Sequence, residues 1–313
     1  MDKQARIFIA GHKGLVGTAL INQLRSLDYQ NLIVATKEEL DLRDPLAVDA
    51  FFAATQPEYI FLAAAKVGGI HANNTYPAEF IYDNLMIQTN VIHNAYKYQA
   101  KKLLFLGSSC IYPKYAPQPI RERYLMTGLL EPTNEAYAIA KIVGIKMCQS
   151  YNRQYGTNFI TVMPSNLYGP FDNFDLETSH VLPALIRKFH EAKVNKASLV
   201  ELWGSGSPRR EFLHVADLAS ACLFLMEHYS DNEPVNVGAG FDISIAELAQ
   251  MVKKIIGYHG KIVWDSSKPD GTPRKLLDIR KITGIGWKPK LSLKEGIKQT
   301  YEWFLANKEL ITR

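Results

Sequence analysis

With 313 residues, 47% of them hydrophobic and 21% charged, the chain has the composition of a soluble globular protein with an ample core, and its length fits one large domain or two smaller ones. No apolar run approaches the ~18 residues of a membrane span, and no signal or transit pattern precedes the first apolar stretch. Cys110, Cys148 and Cys222 are too few and too widely spaced for a disulfide framework or a metal cluster, which points to a reducing cytoplasm, and the net charge of +5 is spread without any basic, aromatic-interleaved tract that would argue for nucleic acid.

Residues 6–10, 31–36, 59–65, 102–107 and 159–163 read as strands that are apolar nearly throughout, as strands covered on both faces are. Helical stretches at 16–27, 45–53, 80–99 and 137–155 alternate with them, and this rhythm predicts an α/β fold with a doubly wound parallel sheet. After Tyr168 the pattern changes to a loop at 169–175, a helix over about 181–192, a loop at 203–208, a helix over 215–226, a short strand within 235–240 and a helix over 245–256. We expect residues 1–168 with about 212–240 to form a nucleotide-binding domain. About 169–211 with 241–313 should form a smaller α+β substrate domain that returns strands to the first sheet. No repeat or low-complexity linker separates the two regions, so they should share an interface.

Gly11-His12-Lys13-Gly14-Leu15-Val16-Gly17 follows the first strand and opens the first helix. Glycines let the chain turn tightly and let backbone amides approach a pyrophosphate, to which the helix N-terminus adds partial positive charge. Glycine turns also occur for purely structural reasons, but a strand before and a helix after favour a dinucleotide. The second strand ends Val34-Ala-Thr-Lys37, without the acid that meets a free ribose 2′-hydroxyl. Lys13 and Lys37 would instead neutralise a 2′-phosphate and favour NADPH over NADH. The competing reading is two solvated lysines beside Glu38 and Glu39. Asp41-Leu42 falls where an adenine would rest.

Ser108 and Ser109 end the fourth strand, at the edge where open α/β sheets place their ligands. Shortly after, Tyr137-Ala-Ile-Ala-Lys141 sets a phenol and an ammonium four residues apart on one helix face. A free phenol titrates near ~10, and an adjacent ammonium brings it closer to working range. Singly, Ser108 could cap a loop, Tyr137 could be a core residue and Lys141 a surface lysine. Together they suggest hydride chemistry on a carbonyl or carbinol carbon.

The glycine turn, Ser108 and Tyr137-x3-Lys141 resemble the Rossmann-type extended short-chain dehydrogenase/reductases. Longer stretches narrow the likeness: Ala63-Ala-Ala-Lys-Val-Gly-Gly-Ile70, Ala72-Asn-Asn-Thr-Tyr-Pro77, Gly107-Ser-Ser-Cys-Ile-Tyr-Pro113, Glu131-Pro-Thr-Asn-Glu135, Asn166-Leu-Tyr-Gly-Pro170 and Lys268-Pro-Asp-Gly-Thr-Pro-Arg-Lys275. These resemble the GDP-L-fucose synthase family, the 3,5-epimerase/4-reductases of GDP-4-keto-6-deoxy-D-mannose, from Arg6 to about Leu305. The resemblance implies NADP(H) contacts at Ala63, Ala64, Lys141, Pro164, Asn166, Leu167 and His180 besides the glycine turn. It implies C4 reduction by Ser108, Tyr137 and Lys141, with Lys141 lowering the phenol, and proton transfer at C3 and C5 by Cys110 and His180. It implies a nucleotide sugar held by Lys188, Trp203, Arg210 and Asp270, with Lys275 near the diphosphate, and a homodimer through helices 80–99 and 137–155.

Trp203 and Arg210 have a rationale of their own, since an indole stacks on a purine and a guanidinium clamps a diphosphate. Blander readings stand beside each residue: a small buried hydrophobe for Cys110, which Cys148 and Cys222 fit better, a helix-start residue for His180, an interface Trp, a surface Arg, and a turn residue for Asp270. Some family members carry arginine where this chain has Lys13, Lys37 and Lys188, and lysine keeps the charge but not the fork. The rivals are a nucleotide-sugar 4-epimerase or 4,6-dehydratase of the same fold and a non-catalytic NADP-binding sensor or RNA-binding descendant. A dehydratase would need an acid beside Ser108, and none lies between Ser108 and Pro113. A 4-epimerase would not need the Cys/His pair, and a sensor need not keep Tyr137 and Lys141.

Overall fold

A computed structural model describes residues 1–268 and 270–307; Pro269 and residues 308–313, which fall in the expected second region, lie outside the described residues. Strands with no polar face need cover on both sides, and the chain supplies it. Its first five strands are β1 (Ile7–Ala10), β2 (Leu32–Ile33), β3 (Tyr59–Leu62), β4 (Lys102–Leu106) and β5 (Phe159–Pro164). They are followed by β6 (Asn166–Tyr168), β7 (Leu199–Trp203), β8 (Arg209–Arg210), β9 (Phe212–His214) and β10 (Val235–Val237). Six of these form one parallel sheet in the order β10-β5-β4-β3-β1-β2. On one face Leu20 and Leu24 of helix Leu15–Ser26 and Leu218 and Cys222 of helix Val215–His228 pack on Ile9 and Val162. On the other, helices Pro45–Thr55, Pro77–Lys97 and Glu135–Tyr155 bring Phe52, Val91 and Ile145 against Phe8, Ile60 and Phe105.

The sheet therefore is the doubly wound α/β arrangement expected, with β10 returning to its edge from the later part of the chain. Lys102 is the exception in an otherwise apolar strand. Its Nζ donates to the carbonyls of Leu225 (3.2 Å), Met226 (2.9 Å) and Tyr229 (2.5 Å), closing the C-terminus of helix Val215–His228. The strand expected over 31–36 pairs only at Leu32–Ile33, because Leu40 N bonds Thr36 O at 2.9 Å and turns the chain.

A third core gathers helices Val181–Val194, Ile245–Ile256 and Leu293–Ala306 with β7 and its parallel partner β12 (Lys261–Asp265); strand β11 (Ile243–Ser244) immediately precedes the second of these helices. Reciprocal caps start two of these helices, Ser244 with Glu247 and Ser292 with Glu295. Small sheets β11-β8-β13 (β13 being Arg274–Lys275) and β6-β9 join this part to the main sheet. The short helix Ile70–Thr75, the β7–β12 pair and the last helix were not anticipated. Leu277, Ile282 and Trp287, within the stretch expected to build the second region, pack in the cores flanking the main sheet instead. On helices Pro77–Lys97 and Glu135–Tyr155, Tyr82, Ile139, Val143 and Tyr155 stay exposed, so the second region does not cover them. No helix among the described residues is long and apolar enough to cross a membrane.

Candidate active site

The carboxyl ends of β1, β3, β4 and β5 open on a cleft of about 1090 Å³ whose opposite wall comes from the smaller region. At its floor Gly11 has φ +86°, and a Cβ there would stand 2.7 Å from Ala64 N; one on Gly17 would stand 2.1 Å from Gly11 O. Strand, loop and helix thus approach too closely for any side chain, leaving a bare backbone cradle. Gly14 caps the helix without a side-chain acceptor, so the first-turn amides remain for an anion. His12, Lys13, Leu15 and Val16 of the turn line the same cleft, with Ala63 and Ala64 opposite and Pro164, Asn166 and Leu167 further in. Among the described residues no carboxylate lies within ion-pair distance of Lys13 or Lys37. Glu39 instead accepts from Thr36 N at 2.8 Å, and the Glu38 carboxyl is held below its usual range by backbone and Thr36 hydrogen bonds. Asp41 and Leu42 line the same end, and Asp41 is gripped by Arg43, a lining residue that sequence reasoning passed over.

Ser108 leaves β4 and caps the turn Ser109–Ile111, its Oγ accepting from Cys110 N at 3.2 Å, so the capping and the site readings describe one residue. Tyr137 and Lys141 line the cleft from helix Glu135–Tyr155. Burial and the neighbouring Cys110 push the Tyr137 phenol up, while its hydrogen bond with the Ser108 side chain draws it partly back. Lys141 Nζ donates to Leu106 O at 2.8 Å and stands 5.9 Å from the Tyr137 ring centroid; burial lowers its ammonium to about 7. Burial sets the direction of the phenol's shift, and Lys141 is not among the groups that move it. The lysine is fixed by a strand carbonyl, and the phenol stays protonated at neutral pH.

Cys110 meets the smaller region directly, since Lys275 Nζ donates to its Sγ at 3.7 Å. His180 precedes helix Val181–Val194 without a side-chain cap bond, and burial together with the Lys275 charge pulls its imidazole down. Arg210 stands beside Lys275 in the β8–β13 register; it donates to Arg209 O (2.9 Å) and Asp270 O (3.4 Å), and burial lowers its guanidinium against the opposing pull of Cys110. Trp203, half-exposed, has the ammonium groups of Lys188 and Lys268 each 5.4 Å from its ring. Asp270 lines the cleft, and its carboxylate accepts from Ser205 N (2.8 Å) and Oγ (2.7 Å), fixing the loop after Trp203.

A second missed residue is Glu211. Its carboxylate accepts from Gly240 N (2.7 Å) and Leu277 N (2.9 Å), its own N–H donates to Lys275 O (3.3 Å), and its carbonyl accepts from Asn166 Nδ2 (2.9 Å). It thus ties the Asn166 wall to the strands carrying Arg210 and Lys275. The readable signal was a carboxylate set among the apolar residues Phe212-Leu213. Across the cleft, lining loops meet where Gly69 N donates to Thr178 O at 2.9 Å.

Sheet order, glycine cradle and the Ser/Tyr/Lys group define a nucleotide-dependent oxidoreductase or epimerase of the extended type. The chain belongs to the NAD dependent epimerase/dehydratase family, whose model matches residues 7–238. It is 62% identical over 307 residues to putative GDP-L-fucose synthase 2 of Arabidopsis thaliana, covering 98% of this chain and 94% of the relative. It is 55% identical over 318 residues to GDP-L-fucose synthase of Escherichia coli K12, covering 99% of each. A solved GDP-L-fucose synthetase from Naegleria fowleri bound to NADP superimposes with a TM-score of 0.92 at 29% identity, over 100% of this chain and 98% of that one.

Proposed function

We propose that this protein is an NADPH-dependent GDP-L-fucose synthase, converting GDP-4-keto-6-deoxy-D-mannose to GDP-L-fucose by epimerisation at C3 and C5 and reduction at C4. The observation that carries this is one cleft holding the Ser108/Tyr137/Lys141 group and the Cys110/Lys275/His180 group together. The cradle at Gly11 and Gly17 admits backbone-only contact with a pyrophosphate, and Lys13 and Lys37, which help to draw down the Glu38 carboxyl without ion-pairing with it at contact distance, suit a 2′-phosphate, so the residues fit NADPH. When bound, that cofactor supplies the hydride for C4.

The C4 ketone acidifies the C3 and C5 protons of the sugar. Cys110 and His180 remove and return them, His180 being neutral and able to accept at neutral pH. Ser108 donates to the ketone oxygen as charge develops there. Tyr137, kept protonated by burial, is in the form required to hand its Oη proton to the C4 alkoxide. Lys141, anchored on Leu106 O, keeps at least one further N–H for the nicotinamide ribose. Arg210 and Lys275 bind the diphosphate with Lys188, Trp203 stacks on the base, and Asp270 acts by holding the loop that presents Trp203.

In this reading residues 1–168 with about 212–240 carry the cofactor, and about 169–211 with 241–313 carry the nucleotide sugar, in a cytoplasmic enzyme. The uncovered Tyr82, Ile139 and Val143 support a homodimer through their two helices. Purified protein given the 4-keto sugar nucleotide should oxidise one NADPH per GDP-L-fucose formed. Turnover without net NADPH loss would indicate a 4-epimerase, and no turnover would indicate a non-catalytic binder.

A further inference from the structure

The stretch Glu131-Pro-Thr-Asn-Glu135 leads into the helix that carries Tyr137 and Lys141, and the function above leaves its first residue without a task. Glu131 lines the cleft, and its side chain is only 12% exposed. Lys114, which does not line the cleft, holds the carboxylate from behind, with Nζ 3.0 Å from Oε2. On the cleft side its hydrogen-bonding neighbours among the described residues are two hydroxyls, both of lining residues. Thr272 Oγ1 donates to Oε2 at 3.5 Å and Thr133 Oγ1 to Oε1 at 3.4 Å. Both contacts are at the long limit for a hydroxyl donor, and both hydroxyls can turn away. A carboxylate offers about four lone-pair sites, so Oε1 keeps acceptor capacity toward the cleft.

The surrounding charge says what that capacity is for. Arg210, Lys275 and Lys188 line the same cleft as cations for a diphosphate. The Arg210 guanidinium feels the charges of both Cys110 and Glu131, and the Tyr137 phenol feels that of Cys110. A Cβ on Gly271, beside Thr272, would stand 3.6 Å from Arg210 Nη2. Glu131 therefore belongs to the stretch of cleft that joins the reacting groups to the diphosphate cations. An anion there opposes the diphosphate, and an ionised carboxylate only accepts, so its ligand is a neutral donor. The part of a nucleotide sugar that spans this stretch is the hexose, and its donors are hydroxyls. A 4-keto-6-deoxyhexose carries them at C2 and C3. C3 is inverted during the reaction, whereas the C2 hydroxyl keeps its configuration throughout, so a fixed acceptor serves every intermediate only through C2.

We propose that Glu131 is a specificity-determining residue that accepts a hydrogen bond from the C2 hydroxyl of the hexose and holds the ring while C3 and C5 are inverted. This rests on the GDP-L-fucose synthase reading above. Glu131 moves no proton in the reaction; it grips a hydroxyl that does not react.

The test uses the whole enzyme with NADPH, the 4-keto sugar nucleotide, its 2-deoxy analogue, and GDP as a probe without the hexose. Wild type should lose about tenfold in kcat/KM on the 2-deoxy analogue, the worth of one charge-assisted hydrogen bond. Glu131→Gln should lose about tenfold on the natural substrate, chiefly in KM, and should then discriminate the two sugars by about threefold or less. GDP should inhibit the variant as tightly as wild type or more tightly, since the opposing charge is gone. Glu131→Asp, which keeps the charge but withdraws it by one methylene, serves if Glu131→Gln does not fold, and should reduce the discrimination in the same direction; the wild-type comparison needs no variant. Wild type that uses the 2-deoxy analogue within about threefold of the natural sugar, or variants that keep the full discrimination, overturn the proposal. So does GDP inhibition that weakens in step with KM, which would trace the effect to the Arg210 and Thr272 wall. Each of these leaves the enzymatic reading intact, whereas failure of wild type to reduce the natural substrate overturns both.

Discussion

Replacing Tyr137 by Phe removes one oxygen from a half-buried side chain on the cleft wall whose described polar partner is the Ser108 side chain. Ser108 keeps Cys110 N as a donor, so the fold loses about 1 kcal/mol, the net worth of one hydrogen bond. The effect on chemistry should be far larger, because the phenol is the proton source for the C4 alkoxide. A positioned general acid contributes about 10²–10⁴-fold, or about 3–5 kcal/mol of barrier. The epimerising groups are untouched, since Cys110 is oriented by Lys275 and by the Ser109–Ile111 turn. The assay pairs NADPH absorbance with mass-spectrometric deuterium uptake at C3 and C5 in heavy water. NADPH oxidation should fall by about two to four orders of magnitude while exchange stays within about threefold. Reduction within tenfold of wild type, or exchange that vanishes with reduction, would refute the division of labour between Tyr137 and the Cys110/His180 pair.

His180, part of whose surface is open to the cleft, is drawn below its ordinary 6.5 by the protein packed around its ring and by the Lys275 ammonium. It is therefore neutral near pH 7 and becomes protonated only as pH falls through that lowered value, so deuterium exchange should decline on an acid limb lying below 6.5. Lys275→Met deletes the cationic contribution and should move that limb upward, burial alone keeping it low; a limb that stays put or moves down counts against the coupling. Lys102→Met strips the donor from three carbonyls at the end of helix Val215–His228 and should cost about 1–3 kcal/mol, read as a lower urea midpoint at unchanged slope. An unchanged midpoint would show that those carbonyls find other partners.

Much of this was legible because local chemistry and global fold agree. The helix over 245–256 is found to the residue, since Ser244 and Gly257 bracket it and Ser244 and Glu247 complete a capping box. The cleft gathers the glycine turn, the serine, the Tyr/Lys pair and the sugar-side residues as motif reading anticipated. What was not legible depends on partners remote in sequence. Glu211 is satisfied by backbone amides of Gly240 and Leu277, and Arg43 by Asp83, and no spacing in the chain announces either. Strand β7 escaped for another reason: Leu199 and Trp203 sit on its exposed face, leaving Glu201 as the one polar residue of the alternation. The direction of the Tyr137 shift also escaped, because it depends on how deeply the helix buries the phenol and on where Lys141 finds a carbonyl.

Glu211 acts as a rivet where the two halves of the molecule meet, fastening one corner through hydrogen bonds to three separate segments. The loops at Gly69 and Thr178 are joined on the other side of the cleft by a backbone hydrogen bond, so the spacing between the Asn166 wall and the Arg210–Lys275 strands is fixed by Glu211 and not by those loops.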